Sequence, residues 1–114
     1  MTSDDDAPSR SDLVWLDLSP QTGHEQEGRR PALVISPLAY NRKVGLALVC
    51  PVTSRRKGYP FEVALPEQGD VTGVVLSDQL KSLDWRAQRA ERVGTVPDEV
   101  MRAVVARVLP LVQG

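Results

Sequence analysis

Apolar residues in this chain come in short runs, many of them β-branched and most closed within a few residues by glycine or proline. Residues 13–18, 32–35, 46–53, 61–65 and 73–77 are of strand length, and 89–93 is a weaker, charged strand. None is long enough to be a self-supporting helix. Pro51 falls near the end of the run 46–53, which favours a bulge or an edge there. The stretch 40–45 reads as a turn or a short helical excursion. Only the C-terminus changes period. Val100, Met101, Val104, Val105, Val108 and Leu109 fall on one helical stripe. Pro97 suits the first helical position, Asp98 and Glu99 suit the positive end of the helix dipole, and Pro110 should end or kink the helix. Many short strands and one helix in 114 residues imply one mainly β domain, a small barrel or sandwich with a C-terminal helix. Residues 1–11 are polar and acidic and read as a flexible tail; the domain is expected over 12–114.

Composition excludes several functions. One cysteine, Cys50, and one histidine, His24, leave no disulfide framework and no Cys or His pair for zinc. No phosphate-cradling glycine loop or dinucleotide fingerprint is present, so no metal and no cofactor is expected. The charge-free stretches are too short to span a membrane, and the acidic start is unlike a secretory signal, so a cytoplasmic protein is expected. The net charge of −1 argues against bulk attraction to nucleic acid, but the average hides a distribution. Residues 29–61 carry seven cations (Arg29, Arg30, Arg42, Lys43, Arg55, Arg56, Lys57) and no acid.

Five sequence pieces occur in a telling order. The chain opens Asp12-Leu13-Val14-Trp15-Leu16-Asp17 and continues Gly23-His24-Glu25-Gln26-Glu27-Gly28-Arg29-Arg30-Pro31-Ala32. Val34-Ile35-Ser36-Pro37 and Tyr40-Asn41 precede Pro51-Val52-Thr53-Ser54 and Lys57-Gly58-Tyr59-Pro60-Phe61-Glu62-Val63. Gly73-Val74-Val75-Leu76-Ser77-Asp78-Gln79-Leu80-Lys81-Ser82 is followed by Asp84-Trp85-Arg86. In this order and spacing the chain resembles the MazF/PemK family of toxin endoribonucleases, and within it the MazF branch. The resemblance implies a small SH3-like β-barrel with a C-terminal helix, forming a homodimer. It implies metal-independent, sequence-specific cleavage of single-stranded RNA to 2′,3′-cyclic phosphate and 5′-hydroxyl ends. It also implies a cognate, MazE-like antitoxin whose acidic segment lies over the active site. Ser11 stands where the family usually has glycine, so the entry turn is expected to differ. Leu76 stands where the Kid branch has an arginine, which shifts the work to Arg30 and Thr53. The alternative is a CcdB-like gyrase-binding toxin without nuclease activity, although the chain end lacks the tryptophan such toxins carry.

Metal-independent cleavage uses the ribose 2′-hydroxyl as nucleophile, so the protein must orient it, move protons and stabilise charge on phosphorus. Arg30 can give bidentate donors to phosphate oxygens, and its high pKa favours electrostatic stabilisation over proton transfer. The Thr53 hydroxyl can donate to a phosphate oxygen. Glu25 is the candidate base, and His24 has a pKa suited to acid–base work. His24, Gln26, Asn41, Ser54, Lys57, Asp78 and Gln79 are expected to contact RNA, amides reading base edges and Lys57 neutralising phosphate. Asp78 could equally be a buried structural acceptor. Trp15 and Trp85 are expected in the core or a dimer interface, and Cys50 as a small buried residue.

Overall fold

The computed structural model describes residues 6–17 and 29–114. Seven strands and two helices run β1 (Asp12–Asp17), β2 (Arg29–Val34), α1 (Leu38–Val44), β3 (Leu46–Thr53), β4 (Glu62–Ala64), β5 (Val74–Leu76), β6 (Lys81–Asp84), β7 (Glu91–Thr95) and α2 (Asp98–Gln113). A short 3-10 turn, Ser77–Gln79, separates β5 from β6. The sheet order is β4-β5-β3-β2-β1-β7, with β6 also paired to β3. All pairings are antiparallel. The two end strands, β4 and β7, are not paired with each other among the described residues, so the sheet is not closed by hydrogen bonds.

Period-two alternation divides the apolar residues between the sheet's two faces. Leu13, Leu33, Ile35, Cys50 and Val52 pack with Val100, Met101, Val104 and Val108 of α2. Val14, Leu16, Ala32, Val34, Ala47 and Val49 pack around Trp85. The helical stripe of α2 therefore matches the sequence pattern, except that Leu109 is exposed. Trp85 is a core residue, and its indole N–H donates to the Asn41 carbonyl at 2.8 Å.

Several expectations are corrected. Pro51 lies neither on an edge nor at the end of pairing. β3 is central; it pairs β6 at Leu46–Val49 and β5 at Val52 and Thr53, and Pro51 sits in the gap where one neighbour gives way to the other. A residue without an N–H is tolerated at such a change of partner. Pro110 does not end α2, which continues to Gln113. The hydrogen bond it forgoes would have gone to the carbonyl of Ala106, an exposed residue where water can substitute. Of the two readings of 40–45 the short helical excursion holds: residues 40–44 belong to α1, which Gly45 ends at φ 84. β6 carries no strand pattern of its own in the sequence.

The segment read as a tail is packed from Ala7 onward. Pro8 is buried, and its carbonyl accepts from the Asn41 side-chain amide at 2.8 Å. Ser11 has φ 80, the left-handed region that glycine enters most readily. Its N–H donates to Val34 and its carbonyl accepts from Val96, both at 2.9 Å, so the entry turn ties β1 to both flanking segments.

Candidate active site

Arg30 lies near the start of β2 and Thr53 at the end of β3. β2 pairs β3 at Ala32 with Pro51, Leu33 with Cys50 and Val34 with Val49, and Arg30 and Thr53 each lie two residues beyond the last of these pairs on their own strands. Both line one open cleft of about 520 Å³, together with Trp15, Arg29, Ser54 and Asp70. Trp15 is half-buried there, a wall of the cleft as well as a core contact.

The two arginines at the mouth of β2 are chemically different. Arg29 is consumed by the protein: it pairs with the Asp17 carboxylate, donates to the Trp15 carbonyl at 3.2 Å and to the Arg89 carbonyl, and lies 3.5 Å from Glu91. Arg30 is exposed and makes no side-chain hydrogen bond or ion pair among the described residues. Its guanidinium keeps its five donors for a ligand. Thr53 Oγ1 accepts the Arg55 N–H at 3.1 Å, which leaves its own hydroxyl hydrogen to donate.

The turn between β4 and β5 brings Asp70, Val71 and Thr72 to the cleft. The sequence carries no signal for Asp70 as a wall of the site. Gly73 makes the approach possible. It has φ 116, and a Cβ there would stand 2.2 Å from the Thr53 carbonyl oxygen.

The remaining expected contacts fall in separate places. Ser54 lines the cleft. Lys57 is exposed on a basic loop, 54–60, whose course is fixed by backbone and not by its cations. Glu62 accepts the Lys57 and Gly58 N–H groups at 2.8 and 3.0 Å, and Arg107 of α2 donates to the Pro60 carbonyl at 2.9 Å. Asp78 is exposed, not buried, and accepts the Tyr59 hydroxyl at 2.9 Å, which raises the Tyr59 phenol above its ordinary value. Gln79 is exposed beside it. Burial, with a smaller contribution from the Asp78 charge, pushes the Cys50 thiol up to about 12.

Asn41 corrects the sequence reading. It is completely buried; its amide donates to the Pro8 and Ser36 carbonyls and accepts from the Ser36 hydroxyl. No donor or acceptor is left facing solvent for a base, so Asn41 is a staple between α1 and the N-terminal segment. His24, Glu25 and Gln26 lie outside the described residues. Among the described residues no cluster of three or more His, Cys, Asp or Glu could hold a metal ion, and no helix is long and apolar enough to cross a membrane.

Known proteins resemble this chain in sequence and fold. The family model described as PemK-like, MazF-like toxin of type II toxin-antitoxin system matches residues 9–112. The endoribonuclease toxin MazF of Escherichia coli strain K12 is 47% identical over 105 residues, covering 92% of this chain and 94% of that protein. The endoribonuclease toxin ChpB of the same strain is 39% identical over 110 residues, 91% of this chain and 93% of that one. A MazE-MazF crystal structure from Deinococcus radiodurans superposes with a TM-score of 0.89 at 54% identity, covering 94% of this chain and 96% of that one. A family match across nearly the whole chain, relatives of similar length and a shared fold lead to one conclusion: this chain belongs to the PemK/MazF family of toxins of type II toxin-antitoxin systems.

Proposed function

We propose that this protein is a metal-independent, sequence-specific endoribonuclease that cleaves single-stranded RNA, with Arg30 and Thr53 as catalytic residues. The observation that carries the reading is the pair itself: an exposed guanidinium without a protein partner among the described residues and a hydroxyl with a hydrogen to give, lining one cleft. Attack by the 2′-hydroxyl on the adjacent phosphate builds negative charge on the non-bridging oxygens. Arg30 offers a planar fork to those oxygens, and Thr53 adds a neutral donor. Departure of the 5′-oxygen leaves a 2′,3′-cyclic phosphate and a 5′-hydroxyl. Glu25 and His24, a few residues before Arg30 in sequence, are the acid–base candidates, and Lys57, Ser54 and Gln79 are the candidates to contact the strand. The expected fold completion is an SH3-like barrel in a homodimer. The partner reading follows relatives solved as MazE-MazF complexes: an acidic antitoxin segment would compete with RNA for the same cations.

The test is cleavage of a mixed-sequence RNA in EDTA, with the product ends identified. Discrete cuts with 2′,3′-cyclic phosphate ends are expected, and Arg30→Ala and Thr53→Ala should each abolish them without unfolding the protein. Products bearing 3′-hydroxyls, or full activity in both variants, would overturn the assignment.

A further inference from the structure

We infer that Arg29, held by Asp17, is a positioning residue for catalysis: a clamp on the last rung of the β1–β2 ladder that sets where its neighbour Arg30 points. The inference rests on the reading of Arg30 as the catalytic guanidinium. Asp17 and Arg29 are the terminal Cα pair of that ladder, and Arg30 pairs with Leu16 immediately inside it. Eleven residues, 18–28, separate the two clamp positions in sequence. A ladder is weakest at its last pair, where fraying starts, and Arg30 stands one rung inside that pair.

The Arg29 guanidinium stops the fraying by joining three segments. One Nη bonds the Asp17 carboxylate; the other donates to the Trp15 carbonyl on β1 and to the Arg89 carbonyl in the turn after β6. Asp17 is gripped from the other side by Arg89 at 3.3 Å, and its backbone N–H donates to the Gln88 carbonyl at 2.8 Å. Arg89 holds φ 53, a left-handed conformation that costs a non-glycine residue strain. Adjacent strand residues face opposite sides, so a fixed Arg29 fixes the phase at which Arg30 leaves the strand.

Charge separates this role from direct attraction of RNA. The two cations Arg29 and Arg89 face the two acids Asp17 and Glu91, so the cluster is balanced and adds little field at the cleft. Geometry explains why the residue is arginine. Lysine keeps the charge but has no planar fork, so it cannot reach the carboxylate and both carbonyls at once.

The experiment compares Arg29→Lys, Asp17→Asn, the double variant and Arg30→Ala in the full-length protein. The probe is a single-stranded RNA cut by the wild type, together with its 2′-deoxy counterpart at the cut position for binding. Arg29→Lys and Asp17→Asn should each slow single-turnover cleavage by about tenfold or more, towards the order of 10²-fold that a 1 Å misplacement costs. Affinity for the uncleavable strand should stay within about twofold, and the double variant should be no slower than the worse single, because both break one unit. Three results overturn the inference: unchanged rates, a loss confined to binding (Arg29 then touches RNA itself), or a loss that tracks the unfolded fraction seen by far-UV circular dichroism. Asp17→Asn is isosteric and keeps the test open if Arg29→Lys folds poorly. Full activity in Arg30→Ala would defeat the catalytic reading; a dead Arg30→Ala beside fully active clamp variants would defeat only the clamp.

Discussion

Gly73→Ala is a one-methyl perturbation aimed at the backbone of Thr53. The added Cβ would lie 2.2 Å from the Thr53 carbonyl oxygen, 2.9 Å from its carbonyl carbon and 3.1 Å from Ser54 Cα. All three are backbone atoms, so no side chain can rotate away. Non-bonded heavy atoms settle at about 3.5–4.0 Å, so the strands must separate by roughly 1 Å. Two costs add. A φ of 116 is strained for alanine, about 1–3 kcal/mol, and overpacking a tight contact costs about 1–3 kcal/mol more. The sum, roughly 2–6 kcal/mol, is a large part of the 5–15 kcal/mol typical of a folded domain. At about 4 °C per kcal/mol for a chain of this size the melting temperature should fall by roughly 8–24 °C. Protein that remains folded must carry a displaced Thr53, and its cleavage rate should fall by on the order of 10²-fold.

The assay is thermal melting by circular dichroism beside RNA cleavage at a temperature where both proteins are folded. Gly94→Ala is the control, because nothing lies within 4 Å of a Cβ built there and its φ is not in the left-handed region. A Gly73→Ala protein that melts within about 2 °C of wild type would refute the steric reasoning. So would a Gly94→Ala protein that is equally damaged.

Asn41→Ala strands the buried Pro8 and Ser36 carbonyls and should cost about 1–3 kcal/mol. Its RNA affinity per folded molecule should be unchanged, and a selective loss of binding would restore the RNA-contact role. With its thiol pushed up to about 12, buried Cys50 should resist iodoacetamide in the native protein and react on unfolding; mass spectrometry at neutral pH decides, and rapid native labelling would contradict the burial. Hydrogen bonding to Asp78 raises the Tyr59 phenol, so the folded state favours its neutral form. That contribution to stability is full below the unfolded value near 10 and is lost as pH rises through the folded one. In an ultraviolet titration Asp78→Asn should lower one phenol midpoint, and an unmoved midpoint would break the pairing.

What the sequence made legible follows from the range of the interactions involved. β3 could be read because every residue from Leu46 to Val52 except Pro51 is apolar, the pattern of a strand covered on both faces. α2 could be read because its stripe needs only its own spacing. β6 could not: Lys81, Ser82 and Asp84 are exposed polar residues around Leu83, and backbone bonds to β3 make it a strand. Asn41 failed for a related reason. A polar residue before Arg42 and Lys43 reads as surface, and only partners 33 residues upstream and 44 downstream reveal a buried staple. Arg29 and Arg30 are the sharpest case, since two adjacent identical residues carry no local signal for which is paired and which is open.

The seven cations between Arg29 and Phe61 are therefore not one basic surface. Arg29 is paired with Asp17. Arg42 and Lys43 occupy the last turn of α1, where they oppose the negative end of the helix dipole. α1 leads into the start of β3 and Thr53 is its end; at about 3.3 Å per residue they stand roughly 20 Å apart. With a Debye length of about 8 Å at physiological salt, these two cations are largely screened from a phosphate in the cleft. That leaves Arg30, Arg55, Arg56 and Lys57, all exposed and close in the chain to the Arg30–Thr53 pair. The loop carrying three of them is pinned through Glu62 and Arg107, so its cations are held near the cleft without being neutralised. Sequence proximity suggested one patch of seven; strand direction divides it, and the four cations at the Thr53 end are the ones whose field a bound phosphate would feel.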